Sequence, residues 1–200
     1  YQESCDAVVI GSGCGGAMVA RELALAGKKV IMLERGGLYL TSRADFDQRE
    51  DDMLARIAGG RGLDTSSNGQ LALAYGRNVG GASVHFWADT WRTPEDRLLE
   101  WERDFGVTGH THQELLPHFE RIERELNVHP AEDARLNTMN RLYEKGARAA
   151  GLEVERVMQA RKGCIGSGYC MQGCAFDAKQ SQLVTTVPDA LRAGVRLFAD

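Results

Sequence analysis

One stretch limits this chain more than any other. A short apolar run of strand character, Asp6-Ala-Val-Val-Ile10, leads directly into Gly11-Ser-Gly13-Cys-Gly-Gly16. Strong helix formers follow from Ala17 to Ala26, with Gly27 where a helix would close. A second apolar run, Lys29-Val-Ile-Met-Leu33, then ends on an acid, Glu34. Strand, glycine turn, helix, strand and acid, in that order, make up the βαβ unit that binds dinucleotides. The chemistry requires that order. A pyrophosphate needs donors at close range, and the first turn of a helix offers unpaired N–H groups and a positive dipole end. Gly11 permits the tight turn, Gly13 the close approach of the ligand, and Gly16 the packing of helix on strand. Glu34 lies where an acid meets ribose hydroxyls, which favours an unphosphorylated ribose, FAD or NAD over NADP.

The rest of the sequence is read around that unit. With 43% hydrophobic and 26% charged residues in 200, the chain has the composition of a soluble globular protein. A net charge of −4 argues against nucleic acid as a partner. No apolar run approaches the roughly 20 residues that span a bilayer, and no signal segment stands at Tyr1. Glycines cluster at 11–16, 36–37, 59–62 and 80–81, a pattern of backbone held close to something. Residues 41–74 read as a short helix over 48–57 followed by loop. A capping-box pattern at Thr111-His-Gln-Glu114 opens an amphipathic helix carrying Leu115, Phe119, Ile122 and Leu126. Further helices are expected from Asn137 to Ala150, closed by Gly151, and from Pro188 to Ala193, with a final strand at Val195–Phe198.

A second glycine turn narrows the choice of cofactor: Gly76-Arg77-Asn-Val-Gly80-Gly81-Ala-Ser83-Val-His85-Phe-Trp87. With the opening Gly-Ser-Gly-Cys-Gly-Gly and Leu33-Glu34-Arg35-Gly-Gly37, the chain resembles the glucose–methanol–choline (GMC) family of FAD-dependent oxidoreductases along essentially its whole length. The likeness is closest to the bacterial branch that oxidises sugars and polyols. It implies an α/β fold: a Rossmann-like FAD-binding domain with an inserted, largely helical segment of the substrate or cap region. The C-terminal part of that fold is expected outside the chain. The implied division is 1–95 for the first part of the FAD-binding domain, 96–180 for the helical and Cys-rich insert, and 181–200 for the return. The resemblance places Gly11, Gly13, Gly16, Glu34, Arg35, Arg77, Gly80, Gly81, Ser83 and His85 along FAD. In relatives with a similar string the histidine holds flavin covalently, so His85 is read either as a tether or as noncovalent packing. Phe86, Trp87 and Trp91 are taken as core aromatics. His110, His112, His118 and His129 are taken as solvated, because they lack a ligand motif.

Three of the five cysteines crowd together as Cys164-x5-Cys170-x3-Cys174, with glycines between them. Thiolates at such spacing can ligate iron–sulfur clusters or zinc. Three ligands without a fourth suit [3Fe-4S] better than zinc. The segment through Ala178-Lys179-Gln-Ser181 is similar to one in GMC dehydrogenases that pass electrons through such a cluster to a cytochrome. Free or structural thiols, and a disulfide, stay open as alternatives. Cys5 and Cys14 are read as buried hydrophobes.

The function implied is hydride transfer from a CH–OH group of an alcohol, sugar or polyol to flavin, with electrons passed to a carrier such as a cytochrome. The alternatives are an alcohol or sterol oxidase using oxygen, an NAD-binding regulatory module, and a zinc-stabilised interaction domain. The catalytic base is expected beyond Asp200, so no catalytic residue is named within the chain. Localisation stays open between cytoplasm and periplasm.

Overall fold

A computed structural model describes residues 2–58 and 63–200. The glycine cluster expected at 59–62 lies outside them. In chain order the elements are β1 (Ala7–Ile10), α1 (Cys14–Leu25), β2 (Val30–Leu33), α2 (Glu50–Arg56), β3 (Leu63–Thr65) and β4 (Ala72–Ala74). Then come α3 (Glu95–Phe105), α4 (His112–Glu125), β5 (Val128–Pro130), α5 (Thr138–Ala149), β6 (Met158–Ala160), α6 (Thr186–Arg192) and β7 (Arg196–Phe198).

These elements form two compact units. One runs to Ala88 and resumes at Lys162–Asp200; the other is Asp89–Arg161. The expected division put the Cys-rich stretch in the insert, with the return at 181. The structure instead packs 162–180 with the first unit. Lys162 N donates to Ala178 O at 2.7 Å, which closes the base of the cysteine loop. The Lys179 ammonium donates to the carbonyls of Val84 (2.5 Å) and Phe86 (3.0 Å).

The first unit is built on a parallel sheet in the order β1–β2–β7, with Val9 beside Met32 and Met32 beside Leu197. Alternation along the strands gives the sheet two faces. Val30 and Met32 face α1 and α6 and are fully buried, together with Ala17, Ala20, Val187 and Ala190. Small residues on α1 allow the close approach of that helix, and burial of each large apolar side chain contributes about 1.5–3 kcal/mol. Val8 and Ile10, on the other face, are 54% and 85% exposed. Arg21 of α1 is buried and forms ion pairs with Glu22 and with Asp189 of α6.

Two details differ from the sequence expectation here. Helix α1 begins at Cys14 rather than Ala17, so its first turn is formed by the glycines themselves. Residues 63–74, read as loop, hold the antiparallel pair β3–β4. In the second unit, α4 and α5 start at the expected caps, whereas α3 and the β5–β6 pair were not expected. Helix α6 starts two residues before Pro188, which occupies its first turn, where a missing N–H costs nothing.

Candidate dinucleotide site

The site forms where β1 and β2 end and α1 begins. Gly11 N donates to Leu33 O at 2.7 Å, which joins the two strand ends. Gly16 packs against this turn so closely that a Cβ there would lie 2.0 Å from Gly11 O. Gly13 is the N-cap of α1 and no side chain caps the helix. A Cβ on Gly13 would meet nothing within 4 Å. The first turn of a twelve-residue helix therefore opens onto free space with its N–H groups available.

The second glycine turn lies directly on the first. Val79 N donates to Gly37 O at 3.0 Å, and Gly80 N donates to Ser12 Oγ at 3.0 Å. Gly81, at φ +56°, would place a Cβ 3.1 Å from Gly13 Cα. Although 68 residues separate Ser12 from Gly80 in sequence, the two turns share one wall.

Glu34 is the fastener between them. Its Oε2 accepts from Ser12 N at 3.0 Å and from Ser12 Oγ at 2.8 Å, and its Oε1 accepts from Gly36 N at 2.9 Å. An ionised carboxylate has about four acceptor positions, so one remains for a ribose hydroxyl. Ser83 is buried; its hydroxyl donates to Gly80 O at 2.6 Å and accepts from Gln182 N at 2.9 Å. Arg35 is exposed, and its carbonyl accepts from Arg77 Nε at 3.4 Å. Both arginines line a cavity of about 390 Å³ beside Gly36 and Gly37, with Tyr39 and Arg56.

His85 is buried, and each ring nitrogen has a partner. Nδ1 lies 3.0 Å from Met171 O, and Nε2 lies 2.8 Å from Asn78 Nδ2. Burial, with the Lys179 charge nearby, holds its pKa below the ordinary imidazole value, so the ring is neutral at pH 7. Among the described residues of this unit, two buried oxygens have no protein partner, Asn78 Oδ1 and Gln182 Oε1. A bound group with hydroxyl or N–H donors would satisfy such atoms, and FAD carries both kinds of donor. Free helix N–H groups, open space at Gly13 and unpaired acceptors together fit a dinucleotide.

The three cysteines do not gather. Among the described residues no group of three His, Cys, Asp or Glu side chains is placed to hold a metal ion. Cys164, Cys170 and Cys174 are free and half-buried, and the Cys164 sulfur accepts from Gly166 N at 3.4 Å. The expected cluster ligands do not fit a [3Fe-4S] group as they stand. Cys14 is exposed at the start of α1 and Cys5 is half-buried, so neither is the core hydrophobe expected. Trp87 and Trp91 are 60% and 71% exposed rather than core. Phe86 is half-buried, with Lys179 Nζ 5.5 Å from its ring centre.

Sequence reasoning missed Ser12, Asn78, Lys179 and Gln182. Ser12 and Asn78 sit inside the two glycine strings, and that position was the available signal.

Fold and site together define a dinucleotide-binding α/β domain of the flavoprotein type. The GMC oxidoreductase family profile matches residues 6–200. The chain belongs to that family, whose cofactor is FAD. An uncharacterized GMC-type oxidoreductase of Sinorhizobium fredii is 36% identical over 99% of this chain and 39% of its own length. A long-chain-alcohol oxidase of Arabidopsis thaliana is 32% identical over 97% of this chain and 26% of its own length. The fold is similar to that of the pyridoxine 4-oxidase from Mesorbium loti, at TM-score 0.63 and 17% identity, covering 98% of this chain and 42% of that one. The chain thus spans well under half the length of these relatives. No helix among the described residues is long and apolar enough to cross a membrane.

Proposed function

We propose that this chain supplies the FAD-binding part of an oxidoreductase that oxidises a CH–OH group of an alcohol. One observation carries the reading: the two glycine turns face each other across the uncapped start of α1. Bound FAD supplies the hydride acceptor for such a reaction. The chain's own residues bind and orient it. The α1 N–H groups and Gly13 take the pyrophosphate, and Glu34 takes one ribose hydroxyl. The cavity beside Arg35 and Arg77 receives the adenosine end. Gly80 and Gly81 leave room for the ribityl side, and Ser83 and His85 hold that turn in shape. The base that receives the substrate proton is placed outside residues 1–200.

Two proposals concern the acceptor. Transfer to a carrier such as a cytochrome was the sequence expectation, and the cysteines lend it no ligand set. Oxygen as acceptor is favoured by the similarity to long-chain-alcohol oxidases at 29–32% identity. Sugars and polyols remain within the CH–OH class, and the same relatives favour a long-chain alcohol. The test is the visible spectrum of the full-length protein during anaerobic addition of a long-chain alcohol or a sugar, followed by air. Bleaching of a flavin spectrum by the alcohol and rapid return in air is the result expected. Bleaching that air does not reverse would move the acceptor to a carrier. A protein lacking flavin altogether would overturn the proposal.

A further inference from the structure

We propose that His85 is a positioning residue that fastens the cysteine-bearing loop 163–178 to the glycine turn, with both ring nitrogens committed to protein partners and neither bonded to flavin. The proposal rests on the FAD reading above.

The tautomer follows from the neighbours. Asn78 Nδ2 donates to Ile57 O at 2.8 Å while it faces His85 Nε2 at 2.8 Å. Turning the amide over would set two oxygens against each other at Ile57, so nitrogen is the atom in that position. An amide nitrogen only donates, so His85 Nε2 is the unprotonated acceptor. The proton therefore sits on Nδ1 and is donated to Met171 O at 3.0 Å. The ring is saturated: one nitrogen donates, the other accepts, and its surroundings are buried. A covalent bond at Nε2 would displace Asn78, and a bond at Nδ1 would orphan Met171 O.

A second tie lies beside the first. Lys179 Nζ donates to the carbonyls of Val84 and Phe86, on either side of His85, and to the carbonyl of Cys170, the neighbour of Met171. Residues 84–86 and 170–171 are thus locked at two adjacent points. The cysteine loop becomes a fixed wall of the flavin turn, which gives it a role that needs no metal.

Acid precipitation of the full-length holoenzyme tests the absence of a bond, and all yellow colour should pass into the supernatant. Flavin retained in the washed pellet would overturn the proposal. The positioning role is read from variants by the rate of trypsin cleavage after Lys162, at the base of the loop. Leucine at position 85 (His85→Leu) leaves Met171 O and one of the two Asn78 Nδ2 hydrogens unpaired, the other still donated to Ile57 O, and should speed cleavage about tenfold. Glutamine (His85→Gln) offers one donor and one acceptor and should stay within about threefold of wild type. Equal behaviour of the two variants would overturn the positioning role. Protein purified without flavin would fail the FAD reading instead, and the cleavage rates would still decide the role of His85.

Discussion

Gly16 shows how little freedom the site allows. A methyl group there would lie 2.0 Å from Gly11 O and 3.4 Å from a Val9 methyl. Neither neighbour can yield, because Gly11 is hydrogen-bonded to Leu33 and Val9 is paired in the sheet. Gly16→Ala should cost about 1–3 kcal/mol, seen as a lower thermal midpoint and poor flavin content of the full-length protein. Glu34→Gln tests the fastener. An amide nitrogen would face a donor at either Ser12 or Gly36, costing about 1–3 kcal/mol. Titration of apoprotein with FAD should show affinity weakened roughly tenfold or more; unchanged affinity would remove Glu34 from the site. His85 adds a pH dependence with a definite sign. Burial lowers its folded-state pKa, so below about pH 6.5 the unfolded chain takes up a proton that the folded chain refuses. Stability should therefore fall as pH drops below that value, and His85→Gln should flatten the fall in acid denaturation curves.

Among the elements, α4 has the best-defined start. Thr111 Oγ accepts from Glu114 N at 3.2 Å, and the Glu114 carboxylate accepts from Thr111 N at 2.9 Å. Thr111→Ala should cost the helix about 1 kcal/mol, measured as faster hydrogen exchange of the first-turn amides. The Thr111 hydroxyl and N–H hold the Glu114 pKa down. This support is present above the ordinary carboxylate range and is lost as pH falls through it. Caps of this kind made α4 and α5 legible in the sequence, because their signals are local. The elements that escaped had no such signal. Strands of three residues, as in β3–β4 and β5–β6, are too short for alternation to register. Helix α3 buries only Leu98 and leaves Leu99, Trp101 and Phe105 exposed, and no side chain caps its start at Pro94. At α1, Gly15 and Gly16 have poor helix propensity, yet packing on β1 and β2 starts the helix there.

The whole site was half legible. Its glycines and its acid follow from the chemistry of a pyrophosphate and a ribose, so sequence spacing reveals them. Partners such as Lys179 and Met171 are brought in by the return of the chain from the second unit, which no local pattern encodes. That return also explains the misplaced boundary at 181. The cysteines are the opposite case: a suggestive spacing that the fold does not gather. As the chain covers 39% of its Sinorhizobium relative, residues 1–200 alone should reduce no dye with any alcohol, even with FAD added. Turnover by that piece would place the base within it.

The sheet order also sets a timetable. Strand β2 sits between β1, its neighbour in sequence, and β7, whose Arg196 pairs with Ile31 from 165 residues away. Ser83 waits likewise for Gln182. At a synthesis rate of about 5–20 residues per second, these partners leave the ribosome on the order of ten seconds after the glycine loop. Until then Val30 and Met32 have only part of their cover. The flavin cradle begins at the glycine loop and closes only once β7, 165 residues beyond Ile31, has been made.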